Sequence, residues 1–252
     1  MMGEPDAADA VIRARGLPGL KVGLHIVLVE GTPVLPPEEI PDLVDAEGRF
    51  PSDMVTAGFR FFFRPGVRRQ LAREIRAQFT AFARTGLPLD HANTHKHIHL
   101  HPTVASLIIR IGREFGLKAM RLPVEPTAPV AAAEPGRRPG GFGDAALRLW
   151  TRQLRWKLRH AGLVTNDQVF GLAWSGAMTE ERVLRLIPHL PDGVSELYFH
   201  PARELTPRLA RTMPSYRHRE EFEALLSPRI DRALAQAGIA RTSYTALARE
   251  AA

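Results

Sequence analysis

Residues 89–102 read LDHANTHKHIHLHP. Four of the five histidines, His95, His97, His99 and His101, stand at strict alternation, with His91 four residues ahead of them. On extended backbone, alternate positions share one face, and their Cβ atoms lie roughly 6.5 Å apart. Two such imidazoles can converge on one cation with bonds of about 2.0–2.1 Å. Four on a straight strand cannot. The expectation is therefore one or two ligands, with the others supporting them or touching substrate. A surface run without chemistry is the plainer alternative, but apolar residues would serve a core better. Strand ends are also the usual place for sites in α/β folds.

Working outward, the segment ends one strand of a strand–helix alternation. Upstream, 5–16 reads as a short helix, 20–29 (LKVGLHIVLV) as a buried strand and 65–85 as an amphipathic helix between Pro65 and Gly86. Residues 31–54 hold five prolines and several acids and read as a long loop. Downstream, helices are expected at 103–115, 144–160, 179–190 and 218–237. Strands are expected at 118–123, 168–174, 195–199 and 240–246. Residues 124–143 are rich in Pro, Ala and Gly and read as a mobile loop. No internal repeat is visible. The alternation predicts one α/β domain over 1–252, a parallel sheet or a (β/α) barrel with outer helices. It opens on a helix with no strand ahead of it, as though a first strand were missing.

Composition narrows the chemistry. The 252 residues include no cysteine, which excludes disulfides, thiolate metal sites and a cysteine nucleophile. A metal would sit on imidazole, carboxylate and water. The formal charge is +7, from 34 Lys and Arg against 27 Asp and Glu. That balance suits anionic partners, and an arginine-rich codon usage produces it equally well. A nucleic-acid role is not expected, because no binding motif accompanies the charge. No apolar run is long enough to span a bilayer and no signal peptide is recognisable, so a cytoplasmic protein is the expectation.

Two further histidines suit the first cluster. His25 stands mid-strand in VGLHIVLVEG. Alone it reads as a core histidine, and beside the cluster it becomes a second ligand. His200 ends a strand in ELYFHPAR, where it can serve as general acid or base, or merely as a turn residue.

VGLHIVLVEGTPVLPP, LDHANTHKHIHLHP, MRLPVEP, VFGLAWSG and ELYFHPARE, in that order, resemble the YdjC-like deacetylases. That family includes chitooligosaccharide deacetylases and deacetylases associated with hopanoid biosynthesis. VEGTPVLPPEEIPDLVDAEGRF and VFGLAWSG look most like the hopanoid branch. The resemblance implies a distorted (β/α) barrel and one divalent ion, magnesium or zinc. His25 and His95 would be metal ligands, and His200 with Glu196 a catalytic strand-end pair. Arg121 would bind substrate oxygens beside His97 and His99. The implied reaction removes the acetyl group of an acetylated amino sugar, here an N-acetylglucosaminyl hopanoid lipid, and releases acetate. The family opens on a strand carrying an Asp-Asp-Phe-Gly-like motif, which supplies a third ligand and the base. No such motif occurs here, so about 40 residues of one strand–helix unit and a further strand are expected to be missing. Turnover by this chain is then expected to be low, with a metal- or sugar-binding remnant as the alternative.

Residues 147–160, LRLWTRQLRWKLRH, interleave basic and large apolar side chains. Such a helix can lie on an anionic membrane or dock on the domain with a solvated face. A glycolipid substrate would favour peripheral contact with the inner membrane. A homodimer stays open.

Overall fold

The computed structural model describes residues 1–134, 136 and 143–251. In chain order its elements are α1 (Ala7–Arg15), β1 (Val22–Ile26), α2 (Met54–Phe63), α3 (Pro65–Ala83), β2 (Leu89–Thr94), α4 (Pro102–Glu114), α5 (Thr127–Ala133) and α6 (Gly143–His160). There follow β3 (Gln168–Phe170), α7 (Glu180–Leu186), β4 (Ser195–Leu197), α8 (Pro207–Thr212), α9 (His218–Leu225), α10 (Pro228–Gln236) and α11 (Tyr244–Glu250). The chain divides into two compact units. The first holds 1–121, 149–165 and 242–252, and the second 122–148 and 166–241.

In the first unit β1 and β2 run parallel, with His25 opposite Asn93 and Ile26 opposite Thr94, and a bulge between Val22 and Leu24. Single bridges carry the pairing on from Ala92 to Met120 and from Ala119 to Val164. Helix α3 turns Val67, Leu71, Ile75, Phe79 and Phe82 inward at helical spacing. Three residues past its end the chain turns at Gly86, whose φ of 71° lies in the left-handed region that favours glycine. The same face carries Glu74 and Gln78, both buried. The Gln78 amide pairs with both the N–H and the C=O of Val27, extending β1 as another strand would. The Glu74 carboxylate accepts the N–H groups of Val34 and Leu35 and so clasps the proline-rich loop. Ile40, Leu43 and Phe50 bury that loop's own apolar side.

In the second unit β3 and β4 pair in parallel, with Val169 opposite Glu196. Val130, Phe170, Trp174, Met178, Val183 and Leu186 form its core. Asn166 is fully buried and pairs with both backbone groups of Leu122.

The barrel expectation is overturned. The described strands form two separate two-stranded sheets, β1–β2 and β3–β4, which do not close into a barrel. The physical reason is the shortness of the pairing. Residues 118–123 make only isolated bridges, and β3 and β4 are three residues each. The strand expected at 240–246 is absent. Ser243 caps the Ala246 N–H there and starts α11. The helix expected over 218–237 is two helices, because Ser227 caps the Arg229 and Ile230 N–H groups and Pro228 opens a new one. Part of the loop expected at 124–143 is helix α5, while residues 135 and 137–142 lie outside the described residues. Among the described residues no helix is long and apolar enough to cross a membrane.

Candidate functional site

The alternating histidine row does not lie on a strand. β2 ends at Thr94, and 95–100 turn into a short 3-10 segment in which Lys96 and His97 adopt left-handed φ of 51° and 54°. Glu30, beyond the end of β1, has φ 49°, and its carboxylate pairs with the Lys96 ammonium. These three are the only non-glycine residues with positive φ among those described. Such conformations cost of order 1 kcal/mol or more each and cluster at functional sites. The turn disperses the histidines that a straight strand would have stacked.

His95 is the first residue past β2, and its ring meets that of His25 edge to face with centroids 5.7 Å apart. The His25 Nδ1–H donates to Asn93 Oδ1 at 2.6 Å, which leaves Nε2 as the ring's lone-pair nitrogen. Burial pushes the His25 pKa down to about 3, against the opposing hydrogen bond to Asn93. Burial also lowers that of His95, which Glu30 and Glu4 partly offset. Both rings are thus held in the neutral, ligating form.

His99 is fully buried, and both ring nitrogens are engaged. Thr94 Oγ1 lies 2.6 Å from Nδ1 and accepts the His99 N–H, while Nε2–H donates to the carbonyl of Arg121 at 3.1 Å. Burial holds its pKa well below the usual value. Any contact of His99 with substrate would therefore run through Arg121, whose backbone it holds. Arg121 follows the bridge to β2, where its N–H donates to Ala92 O at 3.1 Å, and it is largely buried. Its guanidinium acts electrostatically on His25 and His99, lowering both pKa values as a minor cause. The His97 ring lies 6.1 Å from that of His99. His101 is set apart from this group and packs against Phe61, Phe62 and Trp150.

Glu196 and His200 belong to the second unit. Glu196 sits on β4, and the extended chain continues past it, with the Tyr198 N–H donating to Phe170 O at 3.0 Å. The His200 ring lies against Tyr198 and Tyr216, with centroids 5.5 and 5.0 Å away. The fully buried Glu221 accepts the His200 N–H. His218 Nδ1–H donates to the His200 carbonyl at 2.6 Å. Glu221, His218 and Tyr216 follow no pattern that links them to His200 in sequence. Asn93, two residues before His95, is a functional residue the sequence reading missed, because its pairing with His25 follows only from the register of β1 and β2.

Among the described residues no group of three or more His, Cys, Asp or Glu side chains is placed to hold a metal. The pair His25–His95 supplies two nitrogen donors, which suits part of a ligand set rather than a whole one.

Comparison with known proteins identifies the family. Residues 1–236 match the YdjC-like protein family. A carbohydrate deacetylase of Geobacillus stearothermophilus is 28% identical over 97% of this chain and 83% of its own length. One from Brevibacillus brevis is 29% identical over 77% of the chain and 64% of its own length. One from Oceanobacillus iheyensis is 35% identical over 46% and 47%. The match thus spans under two thirds of the length of the second and third of these relatives. An Enterococcus faecalis crystal structure, described provisionally as a cellobiose-phosphate cleavage protein, superposes with a TM-score of 0.72. It is 21% identical and covers 98% of this chain and 85% of that one, a likeness of fold. The chain belongs to the YdjC-like protein family and is classed at that level with carbohydrate deacetylases, hydrolases of an amide bond.

Proposed function

We propose that this chain removes the N-acetyl group of an acetylated amino sugar, with His25 and His95 holding one divalent cation. The observation that carries the reading is the edge-to-face pair of neutral imidazoles at the ends of β1 and β2. Imidazole donors favour zinc over magnesium. When bound, the ion supplies Lewis-acid polarisation of the amide carbonyl.

The chain's own residues take the remaining roles. Arg121, whose charge acts on His25, receives the oxygen of the acyl group as negative charge develops on it. His97, on the strained turn, contacts the sugar. Water adds to the acyl carbon as the amide C–N bond breaks, and acetate and the free amine leave. By the family resemblance His200 is the candidate acid toward that amine, with Glu196 four residues before it on β4. Within the substrate class, resemblance of 29–50 and 169–176 to the hopanoid branch favours an N-acetylglucosaminyl hopanoid lipid. A lipid substrate is supported by surface chemistry in the first unit. Val55, Phe59, Phe62 and Phe63 of α2 are exposed, as are Leu149, Trp150 and Trp156 of α6. His101 packs against Phe62 on one side and Trp150 on the other. Arg68 and Arg69 of α3, Arg152 and Arg159 of α6, and Arg64 between α2 and α3 are exposed. Aromatic side chains among arginines suit an anionic bilayer surface.

A second reading, a metal- or sugar-binding protein without turnover, is favoured by the two-membered donor set. One assay separates them: acetate release from N-acetylglucosamine oligomers and N-acetylglucosaminyl lipid by the purified chain with zinc or magnesium. Release that His25→Ala, His95→Ala and His200→Ala each abolish supports the first. Zinc binding without release supports the second.

A further inference from the structure

We propose that Asp90, His91 and Asn93 are a positioning relay that sets the tautomer of His25 and bares its Nε2 lone pair. The purpose of the relay rests on the reading of His25 as a ligand, but its geometry does not.

The relay starts at a buried carboxylate. Asp90 Oδ1 accepts the N–H and the Oγ1–H of Thr245, at 2.8 and 2.6 Å. Its Oδ2 faces His91 Nδ1 at 2.9 Å. A carboxylate only accepts, so Nδ1 of His91 carries a proton, and in the neutral ring its Nε2 is then an acceptor. Asn93 Nδ2 donates to that Nε2 at 3.3 Å. The other end of the same amide, Oδ1, must then accept, and it faces His25 Nδ1 at 2.6 Å. Each assignment follows from the one before it. Together they fix the proton of His25 on Nδ1. A free neutral imidazole has no such constraint.

The fit of His91 is a separate observation. Its ring lies against the ring of Tyr244, with centroids 4.6 Å apart. A Cβ on Gly23, at the register shift between β1 and β2, would stand 2.5–2.7 Å from three atoms of the His91 ring. Only glycine leaves that slot open. Bulges commonly re-aim a strand beside a site. Here the bulge also brings His25 into register with Asn93. Thr245 lies on α11, so the last helix of the chain anchors the first strand's histidine through three side chains.

The test is ring-nitrogen correlation NMR on the full metal-free chain, with His25 assigned by its loss in His25→Gln. The wild type is expected to show His25 protonated on Nδ1. Asn93→Ala should move the proton to Nε2, and Gly23→Ala and His91→Phe should do so in part. Asn93→Asp, which keeps an acceptor for His25, should retain the wild-type pattern. Zinc titration of the same proteins should show Asn93→Ala weaker by about 10- to 100-fold, as for other groups that orient a ligand. His25 protonated on Nε2 in the wild type, or unmoved in Asn93→Ala, overturns the relay. If the wild type binds no zinc through His25, the ligand reading fails and the tautomer pattern still decides the relay.

Discussion

The imidazole of His25 on β1 meets that of His95, the first residue past the adjacent parallel strand β2, at an interplanar angle of 75°. The register makes this meeting. His25 lies opposite Asn93, and β2 ends one residue later, so His95 turns over the end of the sheet toward it. Burial is the largest influence on both rings and lowers both pKa values.

Proton competition with a metal should therefore be weak at this pair. Zinc affinity is expected to change little between about pH 7.5 and 6, where ordinary imidazoles of pKa about 6.5 begin to protonate. Titration calorimetry at the two pH values checks this. His25→Ala and His95→Ala should each lower affinity by more than the about 10- to 100-fold typical of a supporting group. A steep loss by pH 6 would contradict the neutral pair.

Stability should fall with acid earlier than in a chain without buried histidines. His25, His95, His99 and His101 all have folded pKa values below the usual one, with burial first among the causes. Between about pH 6.5 and 3 the unfolded chain binds more protons than the folded one, so stability is complete above that range and declines as pH drops through it. Burial raises the pKa of Asp90, but hydrogen bonds from His91 and Thr245 outweigh it and hold it at about 2. That adds a loss below about pH 3.9. Urea midpoints of metal-free protein at successive pH values measure the decline, and a constant midpoint from about pH 7 to 5 would refute it.

The clasp on the proline-rich loop should be expensive to remove. Glu74→Ala leaves the N–H groups of Val34 and Leu35 without their acceptor. At about 1–3 kcal/mol for each donor left unsatisfied, two donors give about 2–6 kcal/mol, and the half-buried positions of Val34 and Leu35 put the expected loss toward the lower end. Equilibrium unfolding measures it, and a change under about 1 kcal/mol would mean that water replaces the carboxylate.

The aromatic helices should bind anionic bilayers. Sedimentation with phosphatidylglycerol vesicles is expected to pull down the wild type and to lose it at high salt. Phe59→Ser with Phe63→Ser, or Trp150→Ala with Trp156→Ala, should reduce binding. Unchanged binding removes the membrane reading. A wild-type dimer that these substitutions dissociate would make the face an interface between copies of the chain.

Much was legible in the sequence because it was local. Helical spacing of Leu71, Ile75 and Phe79 marked α3, Gly116 marked the end of α4, and a run rich in Val, Ile and Leu marked β1. The family followed from the order of five short motifs. Sheet closure was not local. Whether residues 118–123 pair along their length or touch at single bridges depends on neighbours distant in sequence, and the alternation of strands and helices is the same in either case. The histidine row misled for a related reason. Alternation implies a shared face only while the backbone stays extended, and the left-handed φ of Lys96 and His97 ends that condition. Residue identities alone thus put imidazoles forward as the candidate donors. The tertiary structure decided which two meet, because register places His25 beside Asn93 and hydrogen bonds reaching as far as Thr245 set where its proton lies.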